Sequence, residues 1–148
     1  MTPEQLANSY LAALWDGILP VNPIKFANAI GLQVIPEESL QGCNRSGEYR
    51  EGVIAFNPGH HSNRTRFTVA HELGHHALQH GPSARETHSF GYSWKEQQAN
   101  EFAASLIMPR EAITQLLSEG VTNLNDMARS FGVSPRAMEI RLERLGYL

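Results

Sequence analysis

The stretch RFTVAHELGHHAL, residues 66–78, decides how the rest of the chain is read. Phe67, Ala70, Leu73 and Ala77 recur at helical spacing and give the segment a core-facing stripe. On that helix His71 and His75 stand one turn apart on one face, so their imidazoles can converge on a single cation. Glu72 is rotated by about 100° from His71, near enough to hold a water at the same ion but turned away from direct ligation. A divalent metal lowers the pKa of a bound water towards ~7, and an adjacent carboxylate can collect the proton and pass it on. The chain has seven histidines, and random order would yield roughly 0.03 HExxH motifs per chain of this composition. The helical setting with a buried face lowers that figure further, so the metal reading outweighs coincidence. His76 and His80 repeat the i, i+4 spacing without a carboxylate between them, and read as helix-face or helix-end histidines.

Two imidazoles leave a zinc site short of a third protein ligand, which another helix has to supply. Ala99, Phe102, Ala103, Leu106 and Ile107 form a buried helical stripe, with Glu96 and Asn100 at its edge and Gln98 and Glu101 pointing away. A carboxylate directed at a core needs a compensating partner, and a metal cation is one. Glu96 is therefore expected as the third metal ligand. Asn100, one turn on, is placed to hydrogen-bond a ligating histidine. The ligand set predicts Zn²⁺, with Mn²⁺ as the substitute.

Outward from these motifs, 148 residues with 41% hydrophobic and 18% charged side chains predict one compact unit over residues 1–148. Cys43 is the only cysteine, so no internal disulfide or CxxC site can be built, and a reducing cytoplasm fits best. Met1 to Leu19 has acidic residues and no basic start, which reads as an amphipathic helix from Pro3 to Trp15 rather than a signal peptide. No run reaches the ~20 apolar residues of a membrane span. The net charge of −3 gives no general attraction to nucleic acid. A short helix is expected over Ile24 to Ile30, a strand over Leu32 to Ile35, and two more strands over Gly47 to Arg50 and Gly52 to Phe56. Helices are then expected over Arg64 to Gln79, Ser93 to Ile107, Arg110 to Leu117, Leu124 to Phe131 and Pro135 to Leu145. The hairpin Gly47 to Phe56 is expected to put an edge strand beside the metal helix, where an extended peptide can add. Gly81 to Tyr92 reads as a loop near the site, with Tyr92 and His88 as candidate oxyanion donors. Trp15 and Trp94 read as packing residues, and Cys43 as a loop thiol.

Arg66 to His75, the run Glu96 to Ala104, and Leu106-Ile107-Met108-Pro109 together resemble the ImmA/IrrE family of metallopeptidases. The resemblance spans about Leu32 to Leu148. It implies an α+β, zincin-like core with a small sheet of about three strands on the HExxH helix, followed by a helical tail. It also implies a gluzincin-like site with His71, His75 and Glu96 as ligands and Glu72 as general base. Many relatives carry a glutamate where this chain has Gln98, a departure that removes a competing ligand. Several relatives cleave a helix-turn-helix repressor or antitoxin, so the resemblance implies such a protein as substrate.

Residues 121–148 read as a helix-turn-helix-like subregion, with Gly132 stopping one helix and Ser134 capping the next. Its second helix carries Arg136, Arg141 and Arg144, which suggests DNA reading. From Leu124 to Leu148, however, four arginines oppose Asp126, Glu139 and Glu143, a weak electrostatic footprint that favours a structural or protein-docking role. Two other functions compete with peptide hydrolysis. One is a toxin or hydrolase using the metal on a non-peptide substrate, and the other is a metal-stabilised DNA-binding or interaction module. Glu72 argues against a purely structural metal, because folding needs the ligands but no base.

Overall fold

Thr2 opens the chain's first helix with a reciprocal capping box: its hydroxyl accepts from the Gln5 amide, and the Gln5 side chain accepts from the Thr2 amide. In this computed structural model, which describes residues 1–80, 93–148 and the backbone of 83–84, that helix is α1 (Pro3–Leu14). It is followed by α2 (Pro23–Ala29), β1 (Gln33–Pro36), a single turn α3 (Ser39–Gly42), β2 (Gly47–Arg50) and β3 (Val53–Phe56). Then come α4 (Ser62–Ala77), β4 (Ser83–Ala84), α5 (Trp94–Ile107), α6 (Arg110–Ser118), α7 (Leu124–Phe131) and α8 (Pro135–Leu145). The α+β class with a small sheet and a helical C-terminal part is as expected.

The sheet runs β1-β3-β2-β4. β1 lies parallel to β3, pairing Val34 with Ile54, and β2 is antiparallel to β3, pairing Tyr49 with Ile54. Glu51 (φ +46°) and Gly52 (φ +84°) join β2 to β3 as a two-residue loop with both residues left-handed, the geometry whose twist matches a hairpin. The expected edge strand needs correction. β2 borders α4, but Glu48 and Tyr49 are paired on their other side with Ala84 and Ser83, so β2 is interior over those residues. β4 has only two residues, too few to leave a periodic signal within the segment read as loop.

α4 begins earlier than expected because His61 caps it, its Nδ1 accepting from the Asn63 amide. Histidine is not a standard cap residue, so this start is not marked in the sequence. The core lies between α4, α5 and the sheet, where Val69, Ala70 and Leu73 meet Phe102, Ala103, Leu106 and Ile54. Tyr10 of α1 packs edge-on against Phe102 with ring centroids 5.5 Å apart. The same core continues into α7 and α8 through Met127, Phe131, Met138 and Leu142. No helix among the described residues is long and apolar enough to cross a membrane.

Candidate metal centre

Two glycines let the surroundings close on α4. A Cβ on Gly74 would lie 3.1 Å from Phe102 Cδ1 and 3.2 Å from the Ala99 carbonyl oxygen, so its absence lets α5 approach the middle of α4. On the sheet side, a Cβ on Gly47 would lie 2.8 Å from the Ala55 carbonyl oxygen and 3.6 Å from Glu72 Cγ. Strand β2 therefore starts directly against the turn that carries Glu72.

This close packing brings His71, His75 and Glu96 together, all three buried, with one potential ligand atom each and these atoms within 4.8 Å of one another. His71 Nε2 is 2.8 Å from Glu96 Oε2, His75 Nε2 is 3.0 Å from Glu96 Oε1, and the two Nε2 atoms are 3.2 Å apart. The rings meet edge-on, at 84° with centroids 4.8 Å apart. Glu96 is delivered by the first turn of α5, which Ser93 caps by accepting from the Glu96 amide. Burial alone would raise the Glu96 carboxyl, but hydrogen bonds and positive charge from His71 and His75 outweigh it and hold its pKa down to about 2. The group stays anionic near neutral pH although it is buried.

Ligands at ~2.0–2.2 Å from a tetrahedral zinc ion lie roughly 3.3–3.6 Å from one another. The observed spacings are a few tenths of an ångström shorter, so small outward side-chain rotations admit an ion. Two imidazoles and one carboxylate, buried and aimed at a common point, fit a divalent cation by both chemistry and distance.

Glu72 is fully buried on the same helix, between the two histidines and beside Gly47. Asn100 sits one turn after Glu96, half-buried in the wall of a cavity of about 730 Å³ that it shares with Ile140 and Arg144 of α8. A second cavity of about 730 Å³, lined by Arg45, Arg64 and Ser134, adjoins the first at Phe67 and Ala137, so both lie against α8. Tyr92 and His88 lie outside the described residues. Cys43 does not face the metal ligands: its thiol turns back onto the carbonyls of Ser39 and Leu40. Trp94, expected to pack inside, is 62% exposed and flanks His80 instead.

Three residues near the site have partners that no spacing in the chain marks. His76 Nδ1 meets the Tyr49 hydroxyl at 2.7 Å and ties α4 to β2. His75 Nδ1 is 2.8 Å from His80 Nδ1, and His80 Nε2 is 3.0 Å from Gln98 Oε1. An i, i+5 pair does not meet on a regular helix, so nothing in the spacing marks the His75–His80 contact. Gln98 was expected to point away, and it does leave the metal ligands, but it turns towards His80.

Three of the four C-terminal arginines are paired within the protein. Arg141 is buried, its Nε donating to the Met108 carbonyl and a terminal nitrogen lying 3.3 Å from Glu4. Arg129 pairs with Asp126 and Arg136 with Glu139, and Arg66 of α4 donates to the Gly132 carbonyl at the turn between α7 and α8. These pairings further weaken a DNA-reading role for α8.

A buried pair of histidines on one helix, completed by a glutamate from the next and set in an α+β fold, defines a candidate metal centre of the metallopeptidase kind. The chain belongs to the M78 peptidase family, described as the IrrE N-terminal-like domain, whose family model matches residues 27–143. It is also similar to a Bacillus phage phi105 protein named uncharacterized immunity region protein 2. The two are 29% identical over 118 residues, covering 76% of this chain and 73% of the relative.

Proposed function

We propose that this chain is a zinc-dependent endopeptidase that cuts one specific protein partner, a helix-turn-helix repressor or antitoxin. The observation that carries the reading is the buried His71, His75 and Glu96 cluster with Glu72 between the two histidines on α4. His71, His75 and Glu96 would hold the ion. When bound, zinc supplies a Lewis acid that activates water and polarises the scissile carbonyl. Glu72 takes the proton from the attacking water and returns it to the departing amine. Asn100 orients a ligating imidazole from the next turn of α5. The buried setting of Glu72 keeps bulk water away from the proton it handles.

The partner docks over the two cavities beside α8, because a chain this small gains selectivity from an extended contact more than from a few subsites. The name of the phage relative places that protein in an immunity region, which fits a repressor as partner. Coexpression with a repressor encoded beside this gene, under metal-replete conditions, tests the proposal. Loss of intact repressor with the wild type, and a loss at least ~100-fold slower with Glu72→Gln at unchanged metal content, is the expected result. A repressor left intact by the wild type, or cut equally by Glu72→Gln, overturns it.

A further inference from the structure

We infer that His80 and Gln98 are positioning residues that hold His75 in the tautomer and orientation needed to bind a metal. The inference rests on the reading of His71, His75 and Glu96 as the metal site.

The hydrogen bonds form one directed chain from Gln98 through His80 to His75. With Gln98 Oε1 facing His80 Nε2 at 3.0 Å, the amide oxygen can only accept, so the proton sits on Nε2 of His80. A neutral imidazole protonated at Nε2 has a bare Nδ1. That atom faces His75 Nδ1 at 2.8 Å and accepts a hydrogen bond from its N–H. With a metal bound in place of the Nε2 contact to Glu96, His75 keeps its proton on Nδ1 and offers the ion Nε2, the nitrogen that faces His71 and Glu96. The direction depends on the side-chain amide of Gln98. Were its NH₂ turned towards His80, each proton would shift to the other nitrogen, and His75 Nε2 would no longer be free to ligate.

Several independent restraints put His80 where it can do this. Gln79 adopts φ +60°, a left-handed conformation that costs a non-glycine residue roughly 1 kcal/mol and reverses the chain just past α4. The His80 amide donates to the His75 carbonyl at 2.9 Å, which folds the residue back over the turn it serves. The edge of the ring meets Trp94, with centroids 5.7 Å apart, and Trp94 opens the same helix that carries Glu96 and Gln98. A histidine that only ended the helix would need neither the strained reversal nor two ring hydrogen bonds.

The test uses the full chain and metal alone. Zinc affinity is measured by competition with a chromophoric chelator, and the cobalt(II) absorption spectrum reports the ligand field. His80→Ala should weaken zinc binding by about 10–100-fold and shift the cobalt bands. His80→Asn, whose side-chain oxygen can accept where Nδ1 did, should recover most of that loss. Gln98→Leu should also weaken binding, and the double variant His80→Ala/Gln98→Leu should bind no more weakly than His80→Ala, because both act through one chain of bonds. Affinity within about twofold of wild type for His80→Ala, no rescue by asparagine, or losses that multiply in the double variant would each overturn the inference. If circular dichroism shows that His80→Ala does not fold, Gln98→Leu decides alone, and unchanged affinity there overturns it. Because no substrate enters these measurements, a chain with this metal signature that cuts nothing would fail only as a peptidase. Unchanged affinity beside intact cleavage would remove only the positioning role.

Discussion

Gly74→Ala separates the effect of helix propensity from the effect of the α4–α5 approach, and the two act in opposite directions. Within a helix, alanine is favoured over glycine by about 0.8–1 kcal/mol. Here the new methyl group would sit 3.1 Å from Phe102 Cδ1, 3.2 Å from the Ala99 carbonyl oxygen and 3.3 Å from Ala99 Cα. Two of these neighbours are backbone atoms that cannot rotate aside, so the helices must part by a few tenths of an ångström, and overpacking of this kind costs about 1–3 kcal/mol. The net effect on the metal-free protein is a destabilisation of roughly 0–2 kcal/mol. The larger effect falls on the metal. Ligand distances tolerate only about ±0.2 Å, and the helix that moves carries Glu96, so zinc affinity should fall by about tenfold. At a fixed excess of zinc, a tenfold weaker affinity removes about 1.4 kcal/mol from the stabilisation that zinc confers. Urea unfolding of the wild type and variant, each with and without zinc, reads both quantities. A variant that gains the full ~1 kcal/mol of helix propensity and keeps the wild-type zinc stabilisation would refute the reasoning.

Other expectations follow from the packing around the site. In Gly132→Ala, the residue has φ +65° and its Cβ would meet the Arg66 guanidinium; thermal melting should show a loss of about 1 kcal/mol or more, and an unchanged melting temperature would contradict the role given to that turn. Glu4 is buried enough that desolvation would raise its pKa, but hydrogen bonds and charge from Arg110 and Arg141 hold it below the ordinary glutamate range. Its contribution is therefore fully present above the unfolded-state pKa and is lost as pH falls through the lower folded value. Glu4→Gln should cost about 1–3 kcal/mol at neutral pH by weakening the partner of buried Arg141. The gap from wild type should close in acid unfolding as the pH falls through that lowered pKa, and a gap that widens there would overturn the assignment.

The parts of the fold carried by periodicity were legible in the sequence. The stripes of Phe67 to Ala77 and Ala99 to Ile107 locate α4 and α5, and the cap Ser134 after Gly132 marks the start of α8. Glu96 could be placed at the edge of its stripe because a helix has only one buried side. Three features were not legible, each for a physical reason. The α4 start is set by an imidazole cap, β4 is two residues long, and the His75–His80 contact depends on a left-handed residue at Gln79 that no side-chain pattern encodes. Arg141 was legible only in part. Its place on α8 offered a DNA contact and the weak net charge favoured a structural role, but only the fold shows which: that guanidinium joins α8 to Met108 and Glu4.

The central claim is that His71, His75 and Glu96 together hold one catalytic metal ion, and the most direct test is the metal content of the purified protein by elemental analysis. The account predicts one zinc per chain in the wild type, the same content in Glu72→Gln, and less than about a tenth as much in Glu96→Ala or His71→Ala under a chelator wash that leaves the wild type loaded. A wild-type chain that takes up no divalent metal, or a Glu96→Ala variant that keeps its full complement, would contradict it.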